Sequence, residues 1–168
     1  MKLEEQPDLF RRQLQELYNA EAQITLAMPR VAARSSIAAV KSLLTEHLEE
    51  TRSQVLRLEQ IGRMCDCSCS GVRSLGMQGI LAEGEEAIGC GGDPVLVELA
   101  LLGACQKVEH YEMSAYTMLR ELAIAGGLSE AIPLIEATRK EEMAAAKNLE
   151  RAANSLLARA KPDPVEVS

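Results

Sequence analysis

Four stretches of the chain repeat apolar residues at steps of three and four over many turns, and each breaks that stripe near its middle with a carboxylate. Periodicity of this length commits a chain to long amphipathic helices whose apolar faces must meet one another. The interrupting residues are Glu21, Glu50, Glu109 with Glu112, and Glu142. Both histidines, His47 and His110, lie within three positions of one of them. A carboxylate carried into a core loses its hydration at a cost of several kcal/mol unless a counter-charge meets it. A bound pair of cations is the economical counter-charge, so one feature bears on fold and function together.

The first segment spans about 7–33, with Pro7 and Asp8 in its opening turn, where proline is tolerated and an acid meets the positive end of the helix dipole. Phe10, Leu14, Leu17, Glu21, Ile24 and Met28 trace its inner face, and Pro29 predicts a kink or an irregular last turn. Ser35 and Ser36 read as the turn and N-cap of a second helix carrying Val40, Leu43, Leu44, His47, Thr51, Leu58 and Ile61 inward, with Glu50 and Gln54 between them and Gly62 as its stop. The stretch 64–74 breaks helical spacing, a short helix is expected over about 77–88, and the glycines of 89–92 end it. Asp93 and Pro94 open a third long helix, predicted to turn Leu99, Leu102, Gln106, Glu109, His110, Met113, Thr117 and Leu119 inward, with Gly126 and Gly127 at its end. Ser129 is the expected cap of a last helix with Ile132, Ile135, Arg139, Glu142, Ala146 and Leu149 inside. Residues 1–160 thus form one domain, followed by a flexible tail, 161–168, containing two prolines.

Two hairpins with short links, joined by one long crossover, predict an all-α, ferritin-like, up-down four-helix bundle with an extra short helix in the crossover. Aromatic residues make up 2% of the chain, which favours helix over strand. A net charge of −7 argues against a nucleic-acid partner. No apolar run reaches the ~20 residues of a membrane span. The N-terminus, MKLEEQPDLF, has no secretory core, and the expected location is cytoplasmic. The hairpins echo each other imperfectly: Tyr18-x-x-Glu21 corresponds to Glu109-x-x-Glu112, and His47-x-x-Glu50 to Arg139-x-x-Glu142.

Residues three apart share a helix face, so His47 with Glu50, and Glu109 with Glu112, can converge on one point, with Glu21 and Glu142 facing them. Hard oxygens and one imidazole suit two divalent ions, Fe first, with Mn or Zn as alternatives. Glu50, Glu112 and Glu142 are the candidate bridging ligands, Glu21 and His47 terminal ones, and Glu109 terminal or shifting. The pattern departs from the usual pair of Glu-x-x-His motifs. His110 adjoins Glu109 and points about 100° away from it, which leaves its role open. Arg139 and Lys140 suggest a rival arrangement in which salt bridges replace metal, but one arginine cannot neutralise all these carboxylates. Cys65, Cys67 and Cys69 form a C-x-C-x-C cluster in the crossover. It reads either as a soft-metal or redox element or as an exposed, cysteine-rich loop, its spacing being tighter than structural zinc requires.

The runs LYNAEAQIT (17–25), EHLEET (46–51), QKVEHYEMSAYTML (106–119) and KEEMAAAKNL (140–149) resemble the YciE/YciF-like family of bacterial ferritin-like proteins over about 7–153. The resemblance implies a rubrerythrin-like bundle, a dinuclear metal centre, an association with stress responses and a homodimer. It carries over Glu21, His47, Glu50, Glu109, Glu112 and Glu142 as metal positions. Arg52, Arg139 and Lys140 stand where relatives are more acidic or have histidine. The leading expectation is a dinuclear Fe or Mn protein that reacts with oxygen or peroxide, an oxidase or peroxidase chemistry being open. The alternative is a metal-free, dimeric helical interaction module.

Overall fold

The computed structural model describes residues 4–159; the expected tail lies outside them. Five helices follow one another: α1 (Gln6–Arg34), α2 (Ala38–Met64), α3 (Leu75–Gly89), α4 (Pro94–Ala125) and α5 (Ile132–Leu157). The long ones pack around a square in the order α1, α2, α5, α4, with α1 and α4 closing it. The backbones of the diagonal pairs stay apart, so those helices meet only through side chains in the centre, and α3 lies across α1 and α4.

Two apolar clusters fix the chain directions. Phe10, Leu14 and Leu17 of α1 pack with Leu58 and Ile61 of α2, Tyr116 and Leu119 of α4, and Ile135 of α5. Further along α1, Ile24 and Met28 pack with Leu44 and Leu48, Leu102 and Val108, Leu149, and Met77 of α3. Every neighbouring pair of long helices therefore runs antiparallel, as the ferritin-like topology requires. Full burial of each such side chain is worth about 1.5–3 kcal/mol. Between the clusters lies a polar slab of Glu21, His47, Thr51, Gln54, Glu109, Glu112, Thr138 and Glu142, all buried.

Local readings fail where another helix intervenes. Pro29 sits inside α1 without ending it. Ser35 and Ser36 do not cap α2, whose N-cap is Ile37; instead both serines bind Glu98 of α4. Ala131, not Ser129, precedes α5, with Pro133 in its first turn. On α4, His110 and Thr117 are exposed and Leu99, Gln106 and Met113 half-buried, while Val97, Leu101, Cys105, Val108 and Tyr116 are buried. The cause is that α4 packs on three partners, α1, α3 and α5, so its buried face is broader and differently centred than a single stripe predicts. Arg139 also stays off the central layer, pairing with Glu136 of its own helix at 3.2 Å.

Candidate metal centre

The polar slab is built one or two residues per helix. Helical spacing puts Glu109 and Glu112 on one face of α4, and both are buried. Glu142 comes from α5, His47 from α2 and Glu21 from α1, each with buried residues one turn to either side: Thr138 and Ala145, Leu44 and Thr51, and Leu17 and Ile24. One donor atom from each of His47, Glu109, Glu112 and Glu142 lies within 4.8 Å of the other three. Donors bound at about 2.0–2.2 Å to one ion stand at most ~4.4 Å apart, so small side-chain adjustments close this group on a cation.

Hydrogen bonding supports that reading. Both oxygens of Glu109 and Glu112, one each of Glu21 and Glu142, and both nitrogens of His47 are buried without a hydrogen-bond partner. Folded proteins rarely leave buried polar atoms unpaired, and so dense a group calls for a missing partner. The two oxygens that are satisfied are held by one residue of the adjoining cluster and one of the slab itself. Tyr116 donates its hydroxyl to Glu21, and Gln54 donates its amide to Glu142. His47 Nε2 approaches Glu109 at 3.2 Å, and Nδ1 faces Glu50 at 3.5 Å.

Electrostatics point the same way. Burial, and then the neighbouring charge of Glu142, push the Glu21 carboxyl up to about 8. Glu109 and Glu112 rise well above the ordinary carboxylate range, first from desolvation and then from the surrounding acids. Glu142 also rises by desolvation, opposed by Glu109, His47 and Gln54. Without a cation the available relief is protonation of some of these carboxyls, since burial raises all four. Carboxylates with one imidazole are donors that Fe, Mn or Zn accept, so the residues present fit a metal ion.

Of the expected ligands, the structure gathers His47, Glu109, Glu112 and Glu142, with Glu21 beside Glu112. It does not gather Glu50, whose side chain is 49% exposed at the rim. There Glu50 is held below the usual carboxylate range, chiefly by His47. The echo between hairpins thus fails at this point, since its counterpart Glu142 is fully buried. His110 is exposed and takes no part. Next to the slab, Arg57 of α2 makes a two-pronged ion pair with Glu141 of α5 and donates to Thr138 at 3.1 Å. Only tertiary packing brings these residues together, and nothing in their local spacing announces it.

The crossover loop itself is largely exposed, but its three cysteines are not. Cys65, Cys67 and Cys69 are free, half-buried thiols packed against the Phe10–Leu14 cluster, and burial raises each above its ordinary range. Gly62 has no room for a Cβ, because Cys69 Sγ and the Cys67 carbonyl occupy that space.

A family model described as a domain of unknown function (DUF892) matches residues 5–161. Protein YciF of Escherichia coli (strain K12) is 33% identical over 138 residues, covering 82% of this chain and 83% of that protein. The crystal structure of the E. coli stress protein YciF overlays with a TM-score of 0.90 at 30% identity, over 94% of this chain and 99% of that one. The YcfI structure from Rhodopseudomonas palustris overlays with a TM-score of 0.86 at 31% identity, over 89% and 95% of the two chains. Among the described residues, no helix is long and apolar enough to cross a membrane.

Proposed function

The chain belongs to the DUF892 family and shares its helical frame with YciF; from that footing we propose that it is a ferritin-like protein holding two divalent metal ions. Iron is the first candidate, with manganese or zinc as alternatives. The observation that carries this reading is the set of orphaned carboxylate oxygens and imidazole nitrogens in one buried layer. Charge supports the count of two. Glu21, Glu109, Glu112 and Glu142, when ionised, carry a charge that two divalent cations balance.

Each residue has a task in this reading. Glu109, Glu112 and Glu142 supply oxygens from two adjacent helices, and Glu21 supplies one from a third. His47 turns Nε2 inward. Glu50, outside, faces Nδ1 at 3.5 Å and is placed to orient the ring once a metal is bound, as carboxylates commonly do behind a metal-bound histidine. Tyr116 and Gln54 anchor one oxygen each of Glu21 and Glu142, leaving the other free. The apolar clusters above and below exclude water. Iron or manganese held here supplies redox chemistry towards oxygen or peroxide.

The E. coli relative is described as a stress protein, which supports a role for this chain in a stress response. A homodimer belongs to the same reading, and Met118 and Ile124, exposed on α4, offer apolar surface for a second copy to cover. The deciding experiment is mass-spectrometric metal analysis of protein purified without chelator. The expected result is about two ions per chain, lost in Glu142→Ala; this stoichiometry follows from the charge balance above. No metal, even after aerobic iron loading, overturns the reading and favours the metal-free interaction module.

A further inference from the structure

Beneath α3, where it crosses α1 and α4, lies a cavity that the metal reading does not use. Ile24 and Met28 of α1, Ile80 and Leu81 of α3, and Cys105 and Val108 of α4 line it. It offers about 20 Å³ to the centre of a water-sized sphere. One water needs roughly 10–15 Å³ by that measure, along with two to four polar partners. The space is therefore sufficient for a diatomic molecule, but its lining gives water almost nothing to bind. Cys105 is the one ionisable side chain in this lining, and Met28 adds only a weakly accepting thioether. Burial, and then the charge of Glu109, push its thiol up to about 12, so it stays protonated and neutral. So apolar a lining holds ordered water poorly and favours apolar gases.

Position gives the cavity a purpose. Ile24 lies one turn beyond Glu21, while Cys105 and Val108 lie one turn before Glu109 and Glu112 respectively. One turn advances about 5.4 Å along the helix axis, so the cavity floor adjoins the acid layer on two helices at once. Gly84 and Ala104, both half-buried, face each other at the cavity rim, where a Cβ on Gly84 would stand 3.9 Å from that of Ala104. Small residues keep that rim open.

We propose that this cavity is a docking site for dioxygen on its way to the acid layer, an inference that rests on the metal-centre reading for its second half. The first test needs no metal. In metal-free protein, dissolved oxygen, being paramagnetic, broadens the methyl resonances it visits. Ile24, Ile80, Leu81 and Val108 should broaden several-fold more than Leu14, Ile61 and Ile135, which are equally or more buried in the other cluster. Ala104→Phe, which fills the rim, should bring the two groups level. Equal broadening in the unaltered protein overturns the docking site, whether or not the variant folds; so does unchanged broadening in a folded Ala104→Phe.

The second test is of the route. Iron-loaded Ala104→Phe should hold as many ions as the unaltered protein but react with oxygen several-fold more slowly, and an unchanged rate overturns the route. Preferential broadening in a chain that loads no metal supports the gas site and overturns the metal reading alone.

Discussion

Two places in this bundle bury glutamate, and they treat it in opposite ways. Glu98 of α4 is 1% exposed, yet its carboxylate accepts hydrogen bonds from the Ser35 hydroxyl, the Ser36 amide at 3.0 Å and the Ser36 hydroxyl at 3.2 Å. It stitches the α1–α2 turn to α4, a task complete within the protein. Glu109 and Glu112 are buried as deeply on the same helix, and none of their oxygens has a partner. Burial alone therefore does not orphan a carboxylate in this chain. The difference teaches that the central layer keeps unused donor atoms that could hold a metal ion, whereas the Glu98 carboxylate is fully engaged within the protein.

The largest effect that sharpens this contrast is metal loading. A ligand present at 100 to 1,000 times its dissociation constant stabilises the fold by about 3–4 kcal/mol, or roughly 10 °C in a domain of this size. Anaerobic Fe(II) or Mn(II) should raise the calorimetric midpoint by that order, and Glu142→Ala should abolish the rise. Next comes Glu98→Ala, which leaves the buried Ser35 hydroxyl and the part-buried Ser36 amide without their acceptor at a cost of about 2 kcal/mol. Chemical denaturation should register that loss while metal stoichiometry stays unchanged; an altered stoichiometry would break the contrast.

Glu109→Gln tests the opposite sign, because removing one of several crowded acids relieves repulsion. Metal-free protein should gain about 1–2 kcal/mol near pH 8 and almost nothing near pH 5. The sign follows from the raised carboxyls. Glu21, with an ordinary value of 4.5 and a folded value of about 8, binds its proton more tightly when folded. The stability this confers is complete below about 4.5 and is lost as pH climbs through 8. The thermal midpoint of metal-free protein should accordingly fall across that window, and a flat profile would count against the crowding. The smallest effect belongs to Glu50→Gln. Weakening the partner of a ligating histidine typically costs about tenfold in metal affinity, which competition with a chelator would measure.

Much of this architecture is legible in the linear chain, for a physical reason. Four helices with long, regular stripes leave few ways to bury them, and on α1 the residues read as inward, Phe10 through Met28, are all buried. Acids on those stripes stand out because they break a period. Glu50 misleads because a two-helix contact decides its exposure: α2 turns His47, Thr51 and Gln54 inward, and Glu50 falls just past that face. Glu98 is missed because its partners lie more than sixty positions away, at a turn that looks like an ordinary N-cap. The Arg57–Glu141 pair is invisible for the same reason.

The crossover also makes the two flanks of the bundle unlike. α3 roofs the α1–α4 seam with hydrocarbon, while the opposite seam, between α2 and α5, presents Arg57 and Glu141 beside the half-exposed Glu50. A solute that carries its own hydration shell and one that carries none would thus arrive by different doors. The same centre has one oily flank and one charged flank, and either can be altered by substitution without touching the other.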